Sequence, residues 1–184
     1  MFAVAATLLV FSIPTPEQGV ALGRALLNEW PSYATYVISF LTILVIWVNH
    51  HATVDAIKTF DRSLLFLNGL LLMAVAVIPF TTSVLAHALQ AGHDQPAAAV
   101  AYGVAATVMS LAFTLINTYA KVNRLFTTPF SLVGFSLGQL TYPVATGIAF
   151  VNYQAALVIY AATAVFYAAF PLLRERRLRQ ESKP

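Results

Sequence analysis

Apolar positions along the chain do not alternate with polar ones; they gather into six long runs joined by short polar connectors. The runs cover roughly residues 1–13, 31–57, 63–90, 97–119, 129–151 and 154–173, and a basic tail occupies 174–184. Runs two to six are each long enough to cross a hydrocarbon core about 30 Å thick, which takes about 20 helical residues. Continuous runs predict helices, because backbone groups in lipid must find partners inside their own segment. Barrel strands would instead alternate over about ten residues. The pattern therefore predicts an all-α integral membrane protein in one domain, residues 1–184, with six transmembrane helices. The first run, MFAVAATLLVFSI, covers only about 20 Å as a helix rising about 1.5 Å per residue. It reads as a signal peptide, a buried stub or a membrane helix that has been shortened.

The connectors decide between these. With six crossings and both termini on one side, Lys58, Arg62, Lys121, Arg124, Arg174, Arg176, Arg177, Arg179 and Lys183 fall on that side, and only Arg24 falls on the other. Cytoplasmic loops carry such an excess of Lys and Arg. The bookkeeping works only if the first run is itself a crossing. A signal peptide needs a basic n-region and a small-residue cleavage site. No Lys or Arg precedes Arg24, and FSIPTP is a poor cleavage site. The expected location is a cell membrane, multi-pass, with N- and C-termini cytoplasmic.

Composition agrees with the pattern. Of 184 residues 59% are hydrophobic and 9% charged, against roughly 25% charged in soluble domains. The absence of cysteine excludes disulfides, thiol catalysis and thiolate metal sites. The net charge of +3 is carried by the tail RERRLRQESK and gives no reason to expect nucleic acid as a partner. The partner expected from composition is the lipid bilayer. No H-E-x-x-H motif is present, and no catalytic residue and no enzyme activity is expected.

One polar stretch interrupts the grease. IWVNHHATVDAIKTFDR places Trp47, Asn49, His50, His51 and Asp55 at the inner end of the second run. Polar groups at such depth are expensive and usually face protein or water. Trp47, His51 and Asp55 follow at i, i+4, i+8 and share one helix face, so His51 and Asp55 can hydrogen-bond along it and leave the other ring nitrogen for a neighbouring helix. A metal site is not expected: His50 and His51 are about 100° apart, and no H-x-x-x-H spacing supports one. Three readings stay open, namely anchoring at the interface, a hydrogen-bond network holding another helix, and proton sensing. Elsewhere, GFSLG spaces Gly134 and Gly138 for close helix approach, and Pro79 and Pro143 lie inside runs as kinks.

FLTILVIWVNHHATVDAIKTFDRSLLFLNGLLLMAVAVIPFTTSVL closely resembles spans two and three of the lysosomal potassium channel family known as transmembrane protein 175, in particular its prokaryotic branch. W-V-N-H-H followed by D-R-x-L-L-x-L-N is the specific part, and FAVAATLL resembles the family's first span. The likeness is good over residues 2–90 and rests on topology beyond them. It implies six spans per subunit, a homotetramer around a central pore, and passive conduction of K⁺ and other monovalent cations with no cofactor. It also implies a pore lined by the first span, with Val4 at the narrowest ring, Leu8 and Phe11 continuing the constriction, and Thr7 as the selectivity threonine. The residues agree, since Val4, Thr7, Leu8 and Phe11 form one stripe at i, i+3, i+4, i+7. Ordinary packing or lipid contact is the alternative reading of that stripe.

The departure from the family is equally specific. Its F-S-D signature, preceded by an Arg, is absent; Met1 stands where the family has an apolar residue after F-S-D-G. In the family the Ser and Asp of that signature bond the Trp, Asn and His of the second span. The expectation is that this chain starts internally and that its reading frame extends upstream, which the genomic sequence before the Met1 codon tests. No T-V-G-Y-G filter is present, so selectivity is expected from an apolar neck with hydroxyls nearby, a neck able to gate by dewetting. Because Val4 is smaller than Leu or Ile, only a modest preference for K⁺ over Na⁺ is expected. The alternatives are a secondary transporter, which would need broken helices and a charged midplane site, and a non-conducting membrane scaffold.

Overall fold

The computed structural model describes residues 2–15, 22–127 and 136–181, with side chains of the last stretch described over 140–169. All the regular structure there is helical. The order is α1 (Phe2–Leu8), prolonged by a 3₁₀ turn (Leu9–Ser12), then α2 (Leu22–Asn28), α3 (Trp30–Ala56), α4 (Arg62–Ala91), α5 (Gln95–Val122), α6 (Ser136–Ala149) and α7 (Tyr153–Glu181). Three of these, α3, α4 and α5, are long and apolar enough to cross a membrane. Phe2–Ser12 and Tyr153–Ala169 are shorter apolar helices. The runs expected at 31–57, 63–90 and 97–119 thus match α3, α4 and α5 to within three residues at each end. Two features go beyond the expected pattern. The connector after the first run contains α2, and α7 continues as helix through the basic segment to Glu181. The start of the fifth run, with Gly134, lies outside the described residues.

Local chemistry sets the helix ends. The Asp61 carboxylate accepts the Leu64 N–H at 2.8 Å and caps α4. Gly92 ends that helix at φ 74° with its N–H on the Ala88 carbonyl, the left-handed position that glycine reaches without a Cβ penalty. Pro31 and Pro96 sit in the first turns of α3 and α5, where a missing N–H costs nothing. Pro79 lies inside α4, which continues through it to Ala91; beside it Thr81 and Thr82 return their hydroxyls to the Ile78 carbonyl at 3.1 and 2.8 Å.

Side-chain size sets the packing. The face of α5 turned inward carries Ala98, Ala99, Gly103, Ala106 and Ala112, all buried, and such small residues let helix backbones approach closely. The large residues that fill the gaps are Tyr102, Tyr160, Phe113 and Met109. The loops at one end of the bundle are clasped by an isolated antiparallel bridge between Ile57 and Phe126. Lys58 N–H donates to the Leu125 carbonyl at 2.9 Å and Thr127 N–H to that of Ala56 at 2.9 Å. The clasp gathers the cationic positions 58, 62, 121 and 124 at one end. At the other end the Gln90 amide bonds the Glu29 carboxylate and ties α4 to the start of α3.

Candidate functional site

The residues singled out by sequence fall on two elements, α1 with its 3₁₀ turn and the last third of α3. Phe2–Ser12 packs by one narrow face: Ala5, Leu9 and Ser12 are buried against α3 and α4. The opposite face carries Val4, Thr7, Leu8 and Phe11. Val4 is 55% exposed, Leu8 44% and Phe11 79%, and Thr7 is exposed as well. Side chains at i and i+3 eclipse in a 3₁₀ helix, so the tightening after Leu8 keeps Phe11 in line with Leu8. The Thr7 hydroxyl donates to the Val4 carbonyl at 2.8 Å. Its one proton is thereby committed to backbone, and both oxygen lone pairs remain available on the exposed face.

The five polar residues of α3 separate into three groups. Trp47 and His51 stack with ring centroids 5.9 Å apart and planes 8° apart, and His51 Nε2 lies 3.5 Å from Asp55. This group faces outward, with the His51 and Asp55 side chains each 65% exposed. Among the described residues no hydrogen bond from another helix reaches the other His51 nitrogen. The second group is His50, half-buried, whose Nε2 lies 2.7 Å from Asn68 Oδ1 on α4. The Phe2 ring packs on it with centroids 5.3 Å apart, so His50 joins α1, α3 and α4. In the third, Asn49 donates its amide to the Val45 carbonyl one turn back at 2.8 Å. It lines a cavity of about 40 Å³ with Thr42, Ser110, Tyr142 and Thr163. Among the described residues no three His, Cys, Asp or Glu side chains converge as metal ligands would.

A second polar system, inside the bundle, was not read from the sequence. The Thr82 hydroxyl lies 2.8 Å from Ser39 Oγ, which donates to the Tyr102 hydroxyl at 3.4 Å. Thr42 Oγ1 donates to the Ile38 carbonyl and lies 3.4 Å from the Tyr142 hydroxyl. Tyr160 reaches Thr146 at 3.2 Å, and its ring stacks 6.0 Å from that of Tyr142. Nearer the clasped end, Thr53 donates to Asn117 at 3.2 Å. These bonds join α3, α4, α5, α6 and α7 in a medium where an unpaired hydroxyl costs several kcal/mol. The signal was present as tyrosines and threonines scattered through otherwise apolar runs, each of which needs a partner.

Known proteins of similar sequence and shape narrow what this arrangement serves. The family model for the endosomal/lysosomal potassium channel TMEM175 matches residues 1–79. A Streptomyces collinus protein named as a potassium channel is 37% identical over 177 residues, covering 91% of this chain and 86% of the relative. A Chamaesiphon minutus protein, also named as a potassium channel, is 38% identical over 129 residues, covering 68% and 64%. The crystal structure of a lysosomal potassium-selective channel TMEM175 homolog from Chamaesiphon minutus matches with a TM-score of 0.80 at 31% identity, covering 91% of this chain and 90% of that one.

Proposed function

We propose, for a chain that belongs to the TMEM175 potassium channel family, that it conducts K⁺ passively through a pore lined by α1 and its 3₁₀ turn. The observation that carries this reading is the two-faced first helix. Ala5, Leu9 and Ser12 hold it to the bundle, and Val4, Thr7, Leu8 and Phe11 stand free on the other side. Four copies around an axis turn that free stripe into rings, with Val4, Leu8 and Phe11 as the apolar constriction and Thr7 as the selectivity position. Each Thr7 oxygen keeps its lone pairs available because its hydroxyl donates to the Val4 carbonyl, which suits it to a partly dehydrated cation. The apolar rings gate by dewetting.

Assembly as a homotetramer is supported by a groove of about 250 Å³ beside α1, lined by Phe2, Ala6, Phe40, Leu44 and Trp47. It is an apolar surface next to the stripe and gives a second copy somewhere to sit. In this reading Phe2–Ser12, α3, α4, α5, α6 and α7 are the six crossings of a prokaryotic cell membrane, the first of them shortened. The clasped end, with Lys58 and Arg124, is cytoplasmic, and the chain needs no cofactor, metal or nucleic acid. A secondary transporter would use interrupted helices around a charged midplane site. Against it, α3, α4 and α5 run unbroken, and no buried Asp, Glu, Lys or Arg occurs among the described residues.

Planar-bilayer recording of the purified chain tests the function. Unitary K⁺ currents are expected, with a modest preference over Na⁺ that falls toward unity in Thr7→Val. Saturable uptake without channel steps, or an unchanged K⁺/Na⁺ permeability ratio in Thr7→Val, would overturn the pore and the role of Thr7 respectively.

A further inference from the structure

At the end of the bundle where α3 begins, the helices enclose a cavity of about 520 Å³. Small-molecule sites run from about 300 to 1,000 Å³. Trp30 on α3, Gln95 on α5 and Gln154 on α7 line the cavity at that end. Its wall descends α3 from Trp30 to Ser39, about 14 Å at about 1.5 Å per residue. That depth equals one leaflet of a hydrocarbon core about 30 Å thick. Leu85, Leu89 and Leu157 make the sides apolar.

Farther along α3, α5 and α7 the lining reaches Ser39, Tyr102 and Tyr160, whose hydroxyls are each bonded to another protein group. A hydrocarbon tail therefore meets no unpaired polar atom there. No charged side chain lines the cavity, so an ion would find no counter-charge. At the rim Val158 is 68% exposed, which places the opening on the flank of the bundle.

We propose that this cavity is a binding site for one acyl chain of a membrane lipid, entering from the flank, with the neutral ester region of the lipid at the amides of Gln95 and Gln154. The inference rests on the reading of the chain as membrane-spanning and not on conduction. Occupancy braces α3, the helix whose Ile43 and His50 lie next to α1.

Photolabelling tests this without reading any current, so a non-conducting protein does not affect the outcome. The full chain is reconstituted in phosphatidylcholine vesicles containing a small share of phosphatidylcholine with a diazirine in the distal half of one acyl chain. After irradiation the adducts are mapped by mass spectrometry. Adducts are expected on Leu85 and Tyr102, 3% and 1% exposed and out of reach of bulk lipid, besides those on exposed Phe66 and Phe80. Ala161→Phe, or Ala34→Phe where the first does not fold, is expected to lower labelling of Leu85 several-fold and leave Phe66 unchanged. Labelling of Phe66 and Phe80 with none on Leu85 and Tyr102 would overturn the site. So would disulfide formation between two copies carrying Ala34→Cys in this cysteine-free chain, because a neighbouring subunit would then cover the cavity.

Discussion

At the scale of single residues, the polar groups of α3 do three different jobs although five of them lie within nine positions. Of Trp47, Asn49, His50, His51 and Asp55, His50 bonds a side chain of another helix, Asn68 on α4. A net hydrogen bond contributes about 0.5–1.5 kcal/mol, so a double-mutant cycle on His50→Ala and Asn68→Ala is expected to return a coupling of about 1 kcal/mol in thermal unfolding. The same cycle on Trp47 and Asn49, which point to different surroundings, is expected to return a value near zero. A second residue-level device lies in the loop before α4. The Tyr119 hydroxyl, 2.5 Å away, and then the Leu64 N–H hold the Asp61 carboxyl below its ordinary value of 3.8. A carboxylate with a depressed pKa favours folding above its unfolded pKa and loses that contribution as pH falls through the folded one. Acidification below about pH 4 is therefore expected to lower the unfolding temperature of the native chain more than that of Asp61→Asn, which keeps a capping oxygen and does not titrate. Equal acid sensitivity in the two would remove Asp61 from the account.

At the scale of elements, α5 is the helix on which the bundle closes, and at Gly103 it comes close to α6 and α7. A Cβ there would collide with the hydroxyls of Tyr160 and Thr146. Overpacking of this kind costs about 1–3 kcal/mol, so Gly103→Val is expected to unfold at lower temperature. Tyr160→Phe in the same background is expected to recover part of the loss by removing one of the colliding atoms. The glycines at 69 and 147 have open space around them, and alanine at either is expected to be tolerated. The first element behaves differently from the rest: Phe2–Ser12 is held by a few buried side chains on one face, and its other face is exposed among the described residues.

At the scale of the whole molecule, two ends are distinguished by chemistry. One carries the clasp between Ile57 and Phe126 with its cationic flanks; the other carries the Glu29–Gln90 tie and the exposed His93 and Asp94. Single cysteines in place of Lys58 and His93 are expected to react with a membrane-impermeant maleimide from opposite sides of intact spheroplasts. Lys58→Cys should be labelled only after the membrane is opened. Labelling of both from outside would overturn the orientation. If four copies meet through the groove beside α1, Ala6→Trp is expected to shift the purified protein from tetramer to smaller species in detergent, by light scattering.

The sequence by itself determined the helical class, the boundaries of α3, α4 and α5, and the periodic stripe on α1. All of these follow from spacing along a chain with 3.6 residues per turn and from the need to satisfy backbone in lipid. It did not show that WVNHH splits toward three surroundings, because helical phase fixes an angle and not the neighbour found there. His50 meets Asn68 and Phe2 only because α1, α3 and α4 cross at that level. The tertiary structure alone decided which scattered hydroxyls bond one another, such as Ser39 with Tyr102 at 63 residues' separation, and where helices of unequal bulk leave a cavity. Those are properties of packed volumes in three dimensions, and no period along the chain encodes them.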